Sequence, residues 1–185
     1  MGLPPKCRFV HISTPPRGSD LDIPGRKEAA AHIFVGIDWL SSVSFEHINT
    51  VGKRVLVLGG GNTAMDCCRT ARRLGGEDVK VVVRSEFDKM KASPWEKDDA
   101  MAEDIPIFNN HVPREFVHTD GKLDGMLFDK VDVVYDANGR RSLVPTGEEP
   151  VFFPADDVLI AIGQDNAFPW IERDIGIEFG KWDMP

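Results

Sequence analysis

Residues 52–84 read GKRVLVLGGGNTAMDCCRTARRLGGEDVKVVVR, and this run constrains the fold more than any other part of the chain. It opens with a short apolar stretch over residues 54–58, rich in Val and Leu, that ends in Gly59-Gly60-Gly61. A helical pattern follows at once: Ala64, Cys67, Cys68, Ala71 and Leu74 recur at spacings of three and four, with Arg69, Arg72 and Arg73 on the opposite side. Gly75-Gly76 stops that helix, and a second β-branched run occupies residues 79–83. Strand, glycine turn, helix and strand in this order form half of a doubly wound α/β unit.

The glycines fit G-x-G-x-x-A at Gly59, Gly61 and Ala64. The first glycine permits the tight turn, the second lets a pyrophosphate approach the backbone, and Ala64 lets the helix pack close to the strand. The N–H groups of Asn62, Thr63 and Ala64 are then expected to face the phosphates with the helix dipole behind them. The second strand ends in Arg84-Ser85. NAD-selective sites place a carboxylate at this position to hold the ribose 2′-hydroxyl, whereas an arginine suits a 2′-phosphate. Lys89 or Lys91 is placed to add charge.

The segment VGKRVLVLGGGNTAMDCCRTARRLG, with KASPWE and AIGQ further on, closely resembles the NADPH-binding domain of the glutamate synthase small (beta) subunit family. The resemblance runs from about Leu21 to about Gln164. It implies the pyridine-nucleotide half of a two-dinucleotide-binding flavoprotein fold, with NADPH held here and FAD held by a flavin domain of the parent enzyme. It also implies electron transfer onward, to an iron–sulfur or large synthase-type partner. In that family the AIGQ turn lies against the nicotinamide side, and a second arginine stands at the position of Ser85. Thr14-Pro15-Pro16 departs from the family's small-residue turn near the flavin. The expected cofactor-binding set is therefore Gly59, Gly60, Gly61, Asn62, Thr63, Ala64, Arg84, Ser85, Lys89, Ile162 and Gly163. Hydride transfer is cofactor chemistry, so no side chain is assigned as acid, base or nucleophile, and no metal ligands are assigned.

A chain of 185 residues is long enough for one full domain with its own core. Its net charge of −8 argues against nucleic acid as a main partner. No apolar run reaches the roughly 18 residues of a membrane helix. The cysteines are Cys7, Cys67 and Cys68, an odd count without a C-x-x-C, so a reducing cytoplasmic setting is expected. Cys67 and Cys68 fall on the apolar helix face and are expected in the core.

The rest of the chain is expected to complete an α/β, Rossmann-like fold with an inserted β-meander. Residues 1–26 read as an N-terminal strand (7–13) and linker, residues 27–164 as the NAD(P)-binding domain, and residues 165–185 as a segment leading toward a flavin domain. Within the middle segment, residues 27–44 carry a helical stripe at Ala30, Ile33, Phe34, Ile37 and Leu40. Pro94 follows Ser93 as a helix start, and the acidic residues 96–103 read as a solvated face. Residues 105–108 form a third parallel strand, followed by a loop histidine, His111. Residues 113–153 alternate as strands around the hairpin dipeptides Asp120-Gly121 and Asn138-Gly139, and are expected to cover one face and carry no chemistry. Residues 157–162 are apolar throughout, as a central parallel strand should be, beside the first strand. Neither flavin signature occurs, neither an early G-x-G-x-x-G nor a late Gly-Asp turn, so the chain reads as one domain of a larger enzyme, inactive alone. The alternative is a stand-alone module that senses NADPH without turnover. A methyltransferase would want an acid where Arg84 stands, and a short-chain dehydrogenase would want Tyr-x-x-x-Lys, whereas Tyr135 is followed by Gly139.

Overall fold

The structure is a computed structural model and describes residues 17–18, 20–135 and 141–165. The expected strand at residues 7–13, Cys7, the Asn138-Gly139 dipeptide and the segment from 166 onward lie outside the described residues. The chain runs β1 (Arg17–Gly18), β2 (Ile33–Val35), α1 (Gly36–Ser44), β3 (Arg54–Leu58), α2 (Asn62–Arg73), β4 (Asp78–Val82), α3 (Pro94–Ala102) and β5 (Ile107–Phe108). It continues through β6 (His111–Thr119), β7 (Lys122–Tyr135), β8 (Arg141–Pro145), β9 (Val151–Pro154), β10 (Asp157–Ile160) and β11 (Gln164–Asp165).

Five strands pair in the order β2-β10-β3-β4-β5, every pair parallel. The most apolar strands take the middle. Val55, Leu56, Val57 and Leu58 of β3, and Val158, Leu159 and Ile160 of β10, are all at most 1% exposed, because both faces of the sheet are covered. The register Val158↔Leu56 places the return strand beside the first, as expected.

The two covers differ. Helices α1, α2 and α3 pack on one face, where Trp39, Ala64, Cys67, Cys68, Ala71 and Ala100 meet Val55, Val57, Val79 and Val81. The antiparallel strands cover the other face. There Phe116, Leu123, Met126, Phe128 and Phe153 meet Leu56, Leu58, Val158 and Ile160. Long strand β7 pairs with β6 along residues 122–130, with β9 through Gly125–Phe128, and with β8 beyond Val131. The Asp120-Gly121 turn forms as expected, both residues having positive φ (50° and 81°), which a two-residue hairpin needs.

Residues 27–44 are not one helix. Ala30–His32 is a single 3-10 turn, Ile33–Val35 is the edge strand β2, and only Gly36–Ser44 is α-helical. Three residues, Ile-Phe-Val, pair with β10, and that pairing overrides a stripe that also fits helical spacing. The third parallel strand, expected from residue 105, starts later, at Ile107, because Pro106 has no N–H to give the ladder; its carbonyl accepts from the Val81 N–H at 3.0 Å. The acidic face of α3 is not simply solvated. Arg69 of α2 reaches Glu103 at 2.9 Å, Asp99 at 3.0 Å and Glu96 at 3.2 Å, tying α2 to α3.

Candidate functional site

A cleft of about 650 Å³ opens at the carboxyl ends of β3, β4 and β10, where open α/β sheets bind their ligands. Its floor is the glycine turn. Gly59 has φ +137°, and a Cβ there would lie 2.2 Å from the Ala161 carbonyl oxygen. Its N–H donates to the Val82 carbonyl at 3.1 Å. This glycine is therefore required by the protein's own packing. A Cβ on Gly60 would meet Val83 Cγ1 at 2.7 Å.

Gly61 is different. Its φ of −103° and ψ of 176° suit any residue, and a Cβ built on it meets nothing within 4 Å. Nothing in the fold demands glycine here, but the space above its backbone opens on the cleft. Gly61 is also the N-cap of α2, without a side-chain cap and without an acid in the first turn, while Arg72 and Arg73 stand in the last turn. The dipole at that end of a twelve-residue helix favours negative charge.

Nine of the eleven expected residues line the cleft: Gly59, Gly60, Gly61, Thr63, Arg84, Ser85, Lys89, Ile162 and Gly163. Asn62 and Ala64 do not. The Asn62 side chain turns to Ser93, accepting from its N–H at 2.8 Å, so it holds the start of α3 against the glycine turn. The Ala92 N–H donates to the Gly60 carbonyl at 2.9 Å and closes the same contact. Ala64 is fully buried under the turn, as its role in helix–strand packing requires. Its N–H donates to the Gly61 carbonyl at 3.0 Å and so is not offered to a ligand.

The loop after β4 is fixed by its backbone. The Ser85 carbonyl accepts from Asn109 Nδ2 at 2.7 Å, and the Arg84 carbonyl accepts from Arg141 Nη2 at 3.1 Å. Arg141 lies on β8, 57 residues from Arg84, and nothing local in the sequence joins them. His111 is the first residue of β6 and not part of a loop. Its Nδ1 sits 2.6 Å from the Asn109 carbonyl, and its ring packs against Phe108, Phe128 and Phe153. With His111, Pro113 and Arg141 on the cleft wall, the antiparallel strands help to line the site as well as covering one face of the sheet.

Charge is sorted strongly. The whole chain has 30 Asp and Glu against 22 Lys and Arg. Among the described residues, the cleft lining nevertheless contains Arg84, Lys89, Lys91 and Arg141 and not one carboxylate. Glu86 and Asp88, near in sequence, are outside the lining. Cys67 and Cys68 are fully buried on the helix side, and burial pushes the Cys68 thiol up to about 12 and the Cys67 thiol higher still. Neither is a nucleophile at neutral pH. Among the described residues, no group of three or more His, Cys, Asp or Glu is placed to hold a metal ion. No helix among them is long and apolar enough to cross a membrane.

Residues 10–184 match the pyridine nucleotide-disulphide oxidoreductase family. The chain belongs to that family. Within it, this oxidoreductase domain is similar to the NADPH-Fe(3+) oxidoreductase subunit beta of Geobacter sulfurreducens, 34% identical over 150 residues, covering 80% of this chain and 22% of that protein. It is also similar to the glutamate synthase [NADPH] small chain of Halomonas elongata, 36% identical over 169 residues, covering 86% of this chain and 34% of that one. The domain thus spans between 22% and 34% of the length of these curated relatives. Among solved structures, thioredoxin reductase of Lactococcus lactis superposes with a TM-score of 0.65 at 23% identity, over 89% of this chain and 47% of that one. FprA of Mycobacterium tuberculosis in complex with NADPH gives 0.64 at 17% identity, over 83% and 49%. At such identities the likeness is one of fold, and the fold is the two-dinucleotide-binding flavoprotein type. The glutamate synthase small-subunit resemblance seen in the motifs is thereby supported across most of the chain.

Proposed function

We propose that this domain binds NADPH in the cleft and presents it for hydride transfer to FAD held elsewhere in the parent enzyme. The observation that carries the reading is Gly61, a glycine whose backbone conformation and packing do not require it, placed where a pyrophosphate would lie against an uncapped helix end. Neither packing nor backbone strain calls for that glycine, and its advantage over alanine as an N-cap is only about 0.5–1 kcal/mol.

The roles follow from position. The turn from Gly59 to Thr63 takes the pyrophosphate. Arg84, with Ser85 and Lys89 beside it, takes the ribose 2′-phosphate at the end of β4. Ile162 and Gly163, where the chain leaves β10, flank the nicotinamide side; Ile162 is 43% exposed and free to meet a flat ring. NADPH, when bound, supplies the hydride. The chain's own residues bind and orient it, and none acts as acid, base or nucleophile. The named relatives are an NADPH-Fe(3+) oxidoreductase subunit and an NADPH glutamate synthase small chain, which supports NADP over NAD and a place within a larger assembly. Electrons would then pass to an iron–sulfur or large synthase-type partner. We assign residues 27–164 to the nucleotide domain and treat 113–153 as its insertion.

Calorimetric titration of NADPH and NADH tests the reading. Charge-assisted hydrogen bonds contribute about 1.5–3 kcal/mol. Arg84→Ala should therefore weaken NADPH by about tenfold or more and leave NADH nearly unchanged. Equal losses for both nucleotides, or tighter wild-type binding of NADH, would overturn it.

A further inference from the structure

We propose that Arg141, carried in by the antiparallel strands, is a further specificity-determining cation that reads a 2′-phosphomonoester at the end of β4. The inference rests on the NADPH reading of the cleft and deepens it. Its observation is the 3.1 Å bond from Arg141 Nη2 to the Arg84 carbonyl, which brings two arginines from different layers of the fold to one strand end.

Three features separate a phosphate reader from a mere clamp. The neighbouring carbonyl, that of Ser85, is held by the neutral amide of Asn109 at 2.7 Å, so holding this loop does not call for charge. Among the described residues the lining offers no carboxylate to either arginine, and a cluster of like charges without an anion is unfavourable. A phosphomonoester carries about −1.5 to −2 at neutral pH, more than one guanidinium balances. The residue after Arg84 is Ser85, which brings a hydroxyl and no charge. Arg141 adds a guanidinium fork from outside the local sequence, beside the ammonium of Lys89. Its place is set by the β7–β8 pairing, in which Tyr135 lies opposite Arg141 at the start of β8. An Arg guanidinium has five N–H donors in a fork that matches phosphate oxygens, and the bond to the Arg84 carbonyl orients that fork.

The test uses the 185-residue chain with adenosine 2′,5′-bisphosphate and 5′-AMP as probes, which differ only in the 2′-phosphate. The variants are Arg141→Gln, which keeps amide donors and loses the charge, and Arg141→Lys, which keeps the charge. Thermal unfolding checks that each folds. Arg141→Gln should bind the bisphosphate about tenfold more weakly and 5′-AMP as before, with a shallower dependence of bisphosphate affinity on salt. Arg141→Lys should retain most of the bisphosphate affinity. Undiminished bisphosphate binding by Arg141→Gln would make the residue a clamp. Equal loss for both probes would make it a shaper of the cleft. Either result overturns the proposal and leaves the role of Arg84 standing. If the wild-type chain binds 5′-AMP as tightly as the bisphosphate, the NADPH reading falls and this inference with it.

Discussion

At the scale of single residues, the glycine turn separates what the fold needs from what a ligand needs. Gly59 has a positive φ and no room for a Cβ; Gly61 has an ordinary φ and empty space. Gly59→Ala should therefore destabilise the chain by about 2 kcal/mol or more, through strain at a left-handed position and collision with the Ala161 carbonyl. Gly61→Ala should change stability by no more than about 0.5–1 kcal/mol, since alanine is only a weaker N-cap than glycine. It should nevertheless lower dinucleotide affinity by placing a methyl group where the pyrophosphate approaches. Thermal unfolding and nucleotide titration of both variants separate the two effects; a Gly61→Ala chain that binds like the wild type would remove the reason for a ligand at this turn. The G-x-G-x-x-A spacing located this turn because each of its positions answers a local constraint. It could not show that the Asn62 side chain turns to Ser93, or that Ala64 keeps its N–H for Gly61, because those bonds depend on how α3 and the first helical turn settle.

Among the elements, those with long periodic patterns were legible and short ones were not. α2 and β3 follow their residue patterns almost to the end. β2 did not, since three residues carry too little period to compete with a neighbouring helical stripe. The acidic residues of α3 looked like a solvated face until α2 placed Arg69 among them, a contact no helix shows by itself. Arg69 is the hub of that network, and Glu103 accepts from both Arg69 at 2.9 Å and Arg73 at 2.7 Å. The bond from Arg69, foremost, holds the Glu103 carboxyl below its ordinary range. A lowered folded-state pKa means stability that is present above the unfolded value and lost as pH falls through the folded one. Glu103→Gln should therefore cost about 1 kcal/mol near pH 7, a modest figure for a half-exposed network. The gap to the wild type should begin to narrow near pH 4, where the unfolded carboxyl takes up its proton, and should close only as pH falls below the lowered folded-state value. Denaturant titrations at pH 7 and pH 3.5 measure it; a gap that stays constant with pH would assign the effect to packing instead of charge.

For the whole molecule, the parallel sheet has one core on each face, and the antiparallel strands own half of the second. Phe128 and Met126 of β7 are fully buried against Leu56, Leu58 and Ile160, so β3 and β10 would face water without them. Alternation and the Asp120-Gly121 dipeptide foretold hairpins that cover one face, but not that they would deliver Arg141 and His111 to the cleft. That placement follows from register over long sequence separations, such as Gly125↔Pro154, which no local window contains. The consequence is cooperative. Were the insertion an independent module, β7 amides would exchange through a lower-energy opening than those of β3. With a shared core, both must open together. Native-state hydrogen exchange should accordingly give the amides of Val57 and Phe128 the same opening free energy, to within about 0.5 kcal/mol, a spread comparable to that tolerated for additive effects. Phe128→Ala should lower both together by about 3–5 kcal/mol, the usual result of emptying a buried aromatic site. A variant in which β7 loses protection while Val57 keeps it would mean that the parallel sheet stands without its second cover, and that the cleft wall made by His111 and Arg141 can open independently of the glycine turn.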